Sequence, residues 1–285
     1  MNEVRMTVVI PVGPFCDPSF VDDTLASLAH YAQPGWRLIL VDDSRKNLCR
    51  SLSQATTATV IPAPAEGADG GLYMNLSAGF ASALEQPFDI LLRMDTDALV
   101  INSGFEDVAD HFFRANPSVG CVGNHSHDYD GTPCNRAGPI DGILRHLTTR
   151  WRRTPATSAA ITRLVVRAFL HGYRLGESVF GGVCIYSRSA IEKLQENRLL
   201  GDPRLGRCQV QEDHLFGLAL RACGMRLSDF GSGSDTLPIG VRWHGLPASP
   251  EDLVHARKAL IHSTRFWQDL DETAVRAEFA RRRSS

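Results

Sequence analysis

"ILLRMDTDALV" (residues 90–100) runs a short apolar strand-like segment straight into two carboxylates, Asp95 and Asp97, one residue apart. Like charges this close repel unless a cation, a donor or solvent compensates them. A solvated strand end would explain one such acid. The rest of the chain decides whether the pair means more.

Working outward, strand-like and helix-like segments alternate through the first 124 residues. "RMTVVIPV" (5–12) is a β-branched run, and Asp17-Pro18 then reads as the N-cap and first residue of a helix carrying Val21, Leu25 and Leu28 on one face. "RLILVDDS" (37–44) is a second apolar strand ending in acids. "KNLCRSLSQ" reads as a short helix and "ATVIPA" (58–63) as a third strand. The Gly-rich "AEGADGG" has no phosphate-loop or dinucleotide fingerprint and leads into Leu72, Leu76, Phe80 and Leu84 at helical spacing. A helix capped by Ser103 and the strand "SVGCVG" close the series. Near-continuous apolar strands alternating with amphipathic helices predict an α/β fold with a mostly parallel central sheet covered by helices on both faces. Ligands of such sheets bind outside the carboxyl ends of the strands, where Asp42, Asp43, Asp95 and Asp97 all fall.

Asp-x-Asp at a strand end suits a divalent cation, Mg²⁺ or Mn²⁺, which takes oxygen ligands and bridges a diphosphate. Such an ion neutralises charge on a departing nucleoside diphosphate. Further along, "HSHDYDGTPCNRAGPIDG" (125–142) reads as a loop whose His125 and His127 are solvated. "VFGGVCIYS" (179–187) reads as a strand, followed by a helix from the capping box Ser189-x-x-Glu192. "QEDHLFGLALRACG" (211–224) is a helix that opens with acid and stops at Gly224. After "MRLSDF" comes a Gly/Ser loop, then "IGVRWHG" (239–245), and a C-terminal helix from Ser249-Pro250 that frays at "RRRSS".

Composition bounds the function. The chain has 285 residues, 43% of them apolar and 22% charged, so it can bury a substantial core. A net charge of −2 argues against nucleic-acid binding by bulk electrostatics. Seven scattered cysteines without CxxC spacing suggest neither a zinc ribbon nor a redox dithiol, and point to a reducing compartment. With no signal-peptide pattern and no apolar run of membrane-spanning length, the expectation is a cytoplasmic protein.

Four stretches, "VVIPVGP" (8–14), "LILVDDS" (38–44), "ILLRMDTDALV" (90–100) and "QEDHLFGLALRACGMRL" (211–227), resemble in order and spacing the GT-A-fold glycosyltransferases, closest to the family-2-like nucleotide-sugar transferases. The resemblance spans residue 5 to about 245. It implies one GT-A (Rossmann-like) unit over 1–285: a nucleotide-sugar donor half (1–124), an acceptor half (125–248) and a C-terminal helix (249–285). It further implies that Pro11 and Val12 line a nucleobase pocket, that Asp43 bonds the base with Asp42 nearby, and that Asp95 faces the ribose or donor sugar. Asp97 would ligate the metal, completed by His244. Asp213 would be the general base with Glu212 beside it, and Gly181-Gly182 would let the sugars approach the backbone. Elementary electrostatics agrees with the base, since a carboxylate at a helix N-terminus is stabilised as the anion. Arg93 either pairs with a carboxylate or reaches the donor phosphates. Where the family usually has PxYN this chain has "PVGP", and the arginine-tryptophan motif of processive members is absent, as are membrane spans.

The resemblance implies transfer of a sugar from a nucleotide-diphosphate sugar, UDP-linked by default, to a hydroxyl or amine of a small-molecule or glycan acceptor. Inversion through Asp213 is the preferred stereochemistry. The rivals are a retaining transferase on the same fold, a nucleotidyltransferase, and a non-catalytic nucleotide-binding protein. Residues 142–175 stand apart, with seven arginines (Arg145, Arg150, Arg152, Arg153, Arg163, Arg167, Arg174) and no acid. A solvated helical face is the ordinary explanation. The sharper one is a platform, led by Arg150, Arg152 and Arg153, that meets phosphate, an anionic acceptor or a membrane surface.

Overall fold

A computed structural model describes residues 4–44, 47–65, 67–230 and 238–284. The Gly/Ser stretch read as a loop at 231–237 lies outside the described residues, as do Glu66 and Ser285. The first 124 residues run β1 (Met6–Val12), α1 (Pro18–Tyr31), β2 (Arg37–Asp42), β3 (Thr59–Pro62), α2 (Gly70–Ala83), β4 (Ile90–Met94), β5 (Ala98–Val100), α3 (Phe105–Ala115) and β6 (Val119–Gly123), with a 3₁₀ turn at Leu48–Arg50. The middle of the chain holds α4 (Ala137–Leu147), a 3₁₀ turn at Thr149–Arg152, α5 (Pro155–Leu170), β7 (Val183–Ser187), α6 (Arg188–Glu196), α7 (Glu212–Ala222) and β8 (Arg226–Asp229). The last stretch holds β9 (Ile239–Val241), α8 (Pro250–His255), β10 (Leu260–His262), β11 (Phe266–Trp267), β12 (Leu270–Asp271) and α9 (Glu272–Arg283).

The main sheet has seven strands in the order β3-β2-β1-β4-β7-β6-β8. Strands β3, β2, β1 and β4 are parallel, β7 runs against both β4 and β6, and β8 is parallel to β6. The expected mostly parallel α/β sheet is therefore present. Chain order reverses between β1 and β4, and ligands of open α/β sheets bind at such a reversal, outside the strand ends. Apolar cores cover both faces: one centres on Phe80, Tyr73 and Phe216 with α2, α5 and α7, the other on Leu25, Leu28 and Phe105 with α1 and α3. Pro11 sits inside β1, where a missing N–H should break a ladder, but pairing with β4 ends at Val9. Only β2 flanks Pro11, which is the position where a strand tolerates it.

Several boundaries differ from the sequence reading. Helix α3 is capped by Gly104, whose φ of +89° suits a glycine better than a serine. Helix α6 begins earlier, because Ser187 rather than Ser189 accepts from Ala190 N, and Glu192 instead pairs with Arg188 at 2.6 Å. The largest correction concerns 249–285, which is not one helix. Helix α8 stops at His255, and β10 then enters a second sheet, β5-β10-β9, antiparallel to β5 and parallel to β9. Arg257 has a positive φ of +53°, which ends helical geometry ahead of β10. Helix α9 continues to Arg283 instead of ending before the arginines: Arg276 is buried and reaches Phe20 O and Asp23, and Arg283 also pairs with Asp23. All seven cysteines are free. Among the described residues no helix is long and apolar enough to cross a membrane.

Candidate active site

The turn between β4 and β5 carries both aspartates of the opening motif. Asp95 N–H donates to Gly182 O at 2.8 Å, which ties the turn to the start of β7. Asp97 is held from the other side, its backbone oxygen accepting from Thr264 N–H at 2.9 Å and from Thr264 Oγ1 at 3.0 Å. Strand β10 lies against β5 so that His262 pairs with Ala98, and its ring therefore meets Asp97. His262 Nε2 is 3.2 Å from Asp97 Oδ1. Ligand atoms of Asp95, Asp97 and His262 all lie within 4.8 Å of one another, a group that could hold a metal ion.

Two details fit a cation there. His262 Nδ1 is 3.1 Å from Arg242 O, and a carbonyl only accepts, so Nδ1 carries the proton and Nε2 turns towards the carboxylate. Neighbouring ligands of an octahedral ion with bonds of about 2.1 Å stand about 3.0 Å apart, close to the 3.2 Å between His262 and Asp97. Asp97 Oδ2 is buried and accepts no hydrogen bond, although Arg265 Nε stands 2.9 Å away. The Arg265 cation compensates part of that oxygen's charge, and a bound ion would supply the coordination that hydrogen bonding does not. Burial alone would raise the Asp97 carboxyl, but the hydrogen bond and charge of His262, with the charge of Arg265, hold it well below the usual range.

Arg93 resolves the choice left by the sequence, since it pairs with carboxylates. Only 1% exposed, it points from the middle of the sheet and donates to Asp95 Oδ1 and Glu212 Oε1, each at 2.9 Å. Burial opposes its charge, yet the two carboxylates raise its pKa well above the ordinary value. This buried cation joins the strand-end aspartates to the first turn of α7.

Asp213, next in that turn, is pinned by two backbone donors: Gly181 N–H to Oδ2 at 3.2 Å and His214 N–H to Oδ1 at 2.7 Å. Burial nevertheless pushes its carboxyl up to about 6, outweighing the charge of Arg93 and those hydrogen bonds. Burial raises Glu212 likewise, against Arg93 and with help from the charges of Asp213 and Asp95. His214 Nε2 is 3.5 Å from Asp213 Oδ1, but burial lowers that imidazole to about 4, so the contact is no ion pair at neutral pH. Asp213 opens into a cavity of about 820 Å³ that Phe180, Gln211, Trp243 and His244 also line. Trp243 and Phe180 meet edge to face at 5.6 Å and give it an aromatic wall.

The other expected residues divide between the site and the core. Val12 has no exposed surface and packs in the core, so it cannot touch a nucleobase; Pro11 and Asp43 are half-buried at the same strand ends. Asp42 accepts from Ser44 N at 2.9 Å and Cys49 N at 3.3 Å, which ties its carboxylate to the segment that follows β2. The room above Gly181 and Gly182 is taken by protein: a Cβ on Gly181 would stand 2.4 Å from Arg93 Nη1, and one on Gly182 2.4 Å from the His262 ring. His244 is exposed and lines the cavity, whereas the histidine beside Asp97 is His262. Arg150 bonds Gln209, Arg152 and Arg153 are exposed, and none of the three lines the cavity. His262 and Arg265 are hidden in the sequence because the start signal at Ser249-Pro250 predicts a helix that would run through them. The apolar triplet Leu260-Ile261 with Ala259, ending in a histidine after a helix stop, is the signal that could have exposed them. No protein-family model matches the chain, and no curated protein matches it.

Proposed function

We propose that this chain is a GT-A-like, metal-dependent glycosyltransferase that moves a sugar from a nucleoside diphosphate sugar to an acceptor hydroxyl or amine, with inversion. One observation carries the reading: the Asp95–Asp97–His262 corner at the carboxyl ends of parallel strands is joined through buried Arg93 to Glu212, the neighbour of Asp213. Asp95, Asp97 and His262 would hold a divalent cation, Mn²⁺ or Mg²⁺, which supplies charge neutralisation to a departing diphosphate. Arg265, 2.9 Å from Asp97 and more than half exposed, offers a further positive charge to the same group.

The chain's own residues do the rest. Arg93 fixes the Asp95 carboxylate and holds Glu212 away from the cavity. The donors on Asp213 orient its carboxylate, whose proton affinity, raised by burial, suits it to receive a proton as the acceptor oxygen or nitrogen attacks. Direct displacement with this base inverts the anomeric centre. The test is a thermal-shift series with nucleoside diphosphates, UDP first, with and without Mn²⁺. Stabilisation only by nucleotide and metal together, lost in Asp97→Ala, is the expected result. Absent or metal-independent stabilisation, the same in parent and variant, would overturn the reading.

A further inference from the structure

A second cavity of about 370 Å³ opens beside the first, against the edge strand β8. His125 and Arg136 line both. Four arginines from distant parts of the chain line it: Arg136 ahead of α4, Arg174 after α5, Arg221 in α7 and Arg226 at the start of β8. Among the described residues only two carboxylates, Glu177 and Asp229, share the space. Both are engaged, Asp229 Oδ1 by the N–H groups of His125 at 2.9 Å and Ser126 at 2.8 Å, and Glu177 Oε2 by Arg174 N–H at 3.0 Å.

The arginines are less satisfied. Arg221, 8% exposed, donates to Met225 O at 3.3 Å and His171 O at 2.6 Å. Its Nε stands 3.5 Å from Glu177 Oε2 and donates no hydrogen bond. Among the described residues, the side chains of Arg136, Arg174 and Arg226 have no hydrogen-bond or carboxylate partner. Four arginines against two carboxylates leave the concavity with an excess of positive charge, which attracts an anion, and the planar fork of arginine matches phosphate oxygens two at a time. Arg221 follows Asp213 by eight positions on one helix, a rise of about 12 Å.

We propose that this pocket binds a phosphate ester, and that the acceptor carries this phosphate roughly 12 Å from its nucleophilic group, about the length of two linked sugar rings. The word acceptor rests on the transferase reading; the binding of phosphate does not. The phosphate belongs either to a soluble phosphorylated sugar or to a phosphorylated lipid headgroup.

The test uses the full chain in EDTA, so that the cation corner contributes nothing. Glucose 1-phosphate raises the melting temperature of the parent while glucose does not, or else vesicles of phosphatidylcholine with phosphatidic acid bind it while phosphatidylcholine alone does not. The first result identifies a soluble source and the second a lipid one. In both, the double variant Arg174→Ala/Arg226→Ala, which removes two exposed side chains, weakens binding at least tenfold and keeps the parental response to UDP with Mn²⁺. Equal binding by parent and double variant, or no response of the parent to any of these phosphates, overturns the proposal. A parent that ignores UDP with Mn²⁺ but binds glucose 1-phosphate would remove the transferase reading and leave the pocket standing.

Discussion

Two acidic corners meet at Arg93, whose Nη2 donates to both Asp95 and Glu212, and the neighbouring carboxyls of Asp97 and Asp213 are driven in opposite directions. Asp97 is nearly as buried as Asp213, at 8% against 7% exposed. One is nevertheless held well below the usual range and the other lifted to about 6. Burial acts alike on both. The difference is in company: Asp97 directly contacts His262 and Arg265, whereas Asp213 is bonded by neutral backbone donors and feels Arg93 without touching it. Pairs of acids pushed apart in this way divide labour, one keeping its charge and the other exchanging a proton.

The comparison breaks most visibly at its bridge. Replacing Arg93 by Ala leaves Asp95 without its buried cation and Glu212 buried and unpaired. The unfolding free energy should fall by about 3–5 kcal/mol in denaturant titrations, and a loss under about 1 kcal/mol would mean that the corners do not depend on one another. Next come the two acids themselves. Asp213→Asn should lower kcat on the order of 10²–10⁴-fold while leaving metal-dependent nucleotide binding intact, and Asp97→Asn should abolish that binding. If both variants lose the same function, the corners are not distinct.

The contrast also has a pH signature. The Asp213 carboxyl rises on folding from 3.8 to about 6, so its contribution favours the fold below pH 4 and is lost as pH rises through 6. An amide does not titrate. The stability of Asp213→Asn relative to the parent should therefore improve between pH 4 and 7 by on the order of 2–3 kcal/mol, then level off. Chemical denaturation across that range checks it, and a difference independent of pH would erase the contrast. The smallest effect belongs to the glycines. Gly182→Ala drives a methyl into the His262 ring and should weaken Mn²⁺ about tenfold by calorimetry with both aspartates in place. Undiminished affinity would remove His262 from the ligand set.

The sequence made the parallel core legible because β1, β2 and β4 are buried on both faces and read as largely apolar runs. Asp95, Asp97 and Asp213 were legible for a related reason, each standing where such a run ends or a helix begins. Arg93 was visible as an anomaly in a strand, but its partner Glu212 lies 119 positions away, and no local pattern encodes that pairing. His262 was hidden by a misleading start signal. Ser249-Pro250 with Glu251 and Asp252 does open a helix, yet that helix has only six residues, and strand β10 beyond it has three, too few for periodicity to reveal. Gly181 and Gly182 were noticed for their smallness, but only the packing shows that Arg93 and His262 fill the space. The four arginines of the smaller cavity come from separate elements, so proximity in three dimensions was needed to group them.

The reach of the last segment has a consequence for how the protein is made. Thr264 braces Asp97 from 167 positions downstream, and Arg276 donates to Thr96 O from 180 positions downstream. A chain emerging from the ribosome can pair β1, β2, β3 and β4 long before those residues exist, since N-terminal structure forms first during synthesis. The aspartate turn is therefore translated early and finished late. At about 5–20 residues per second, its two carboxylates wait on the order of ten seconds for His262 to arrive.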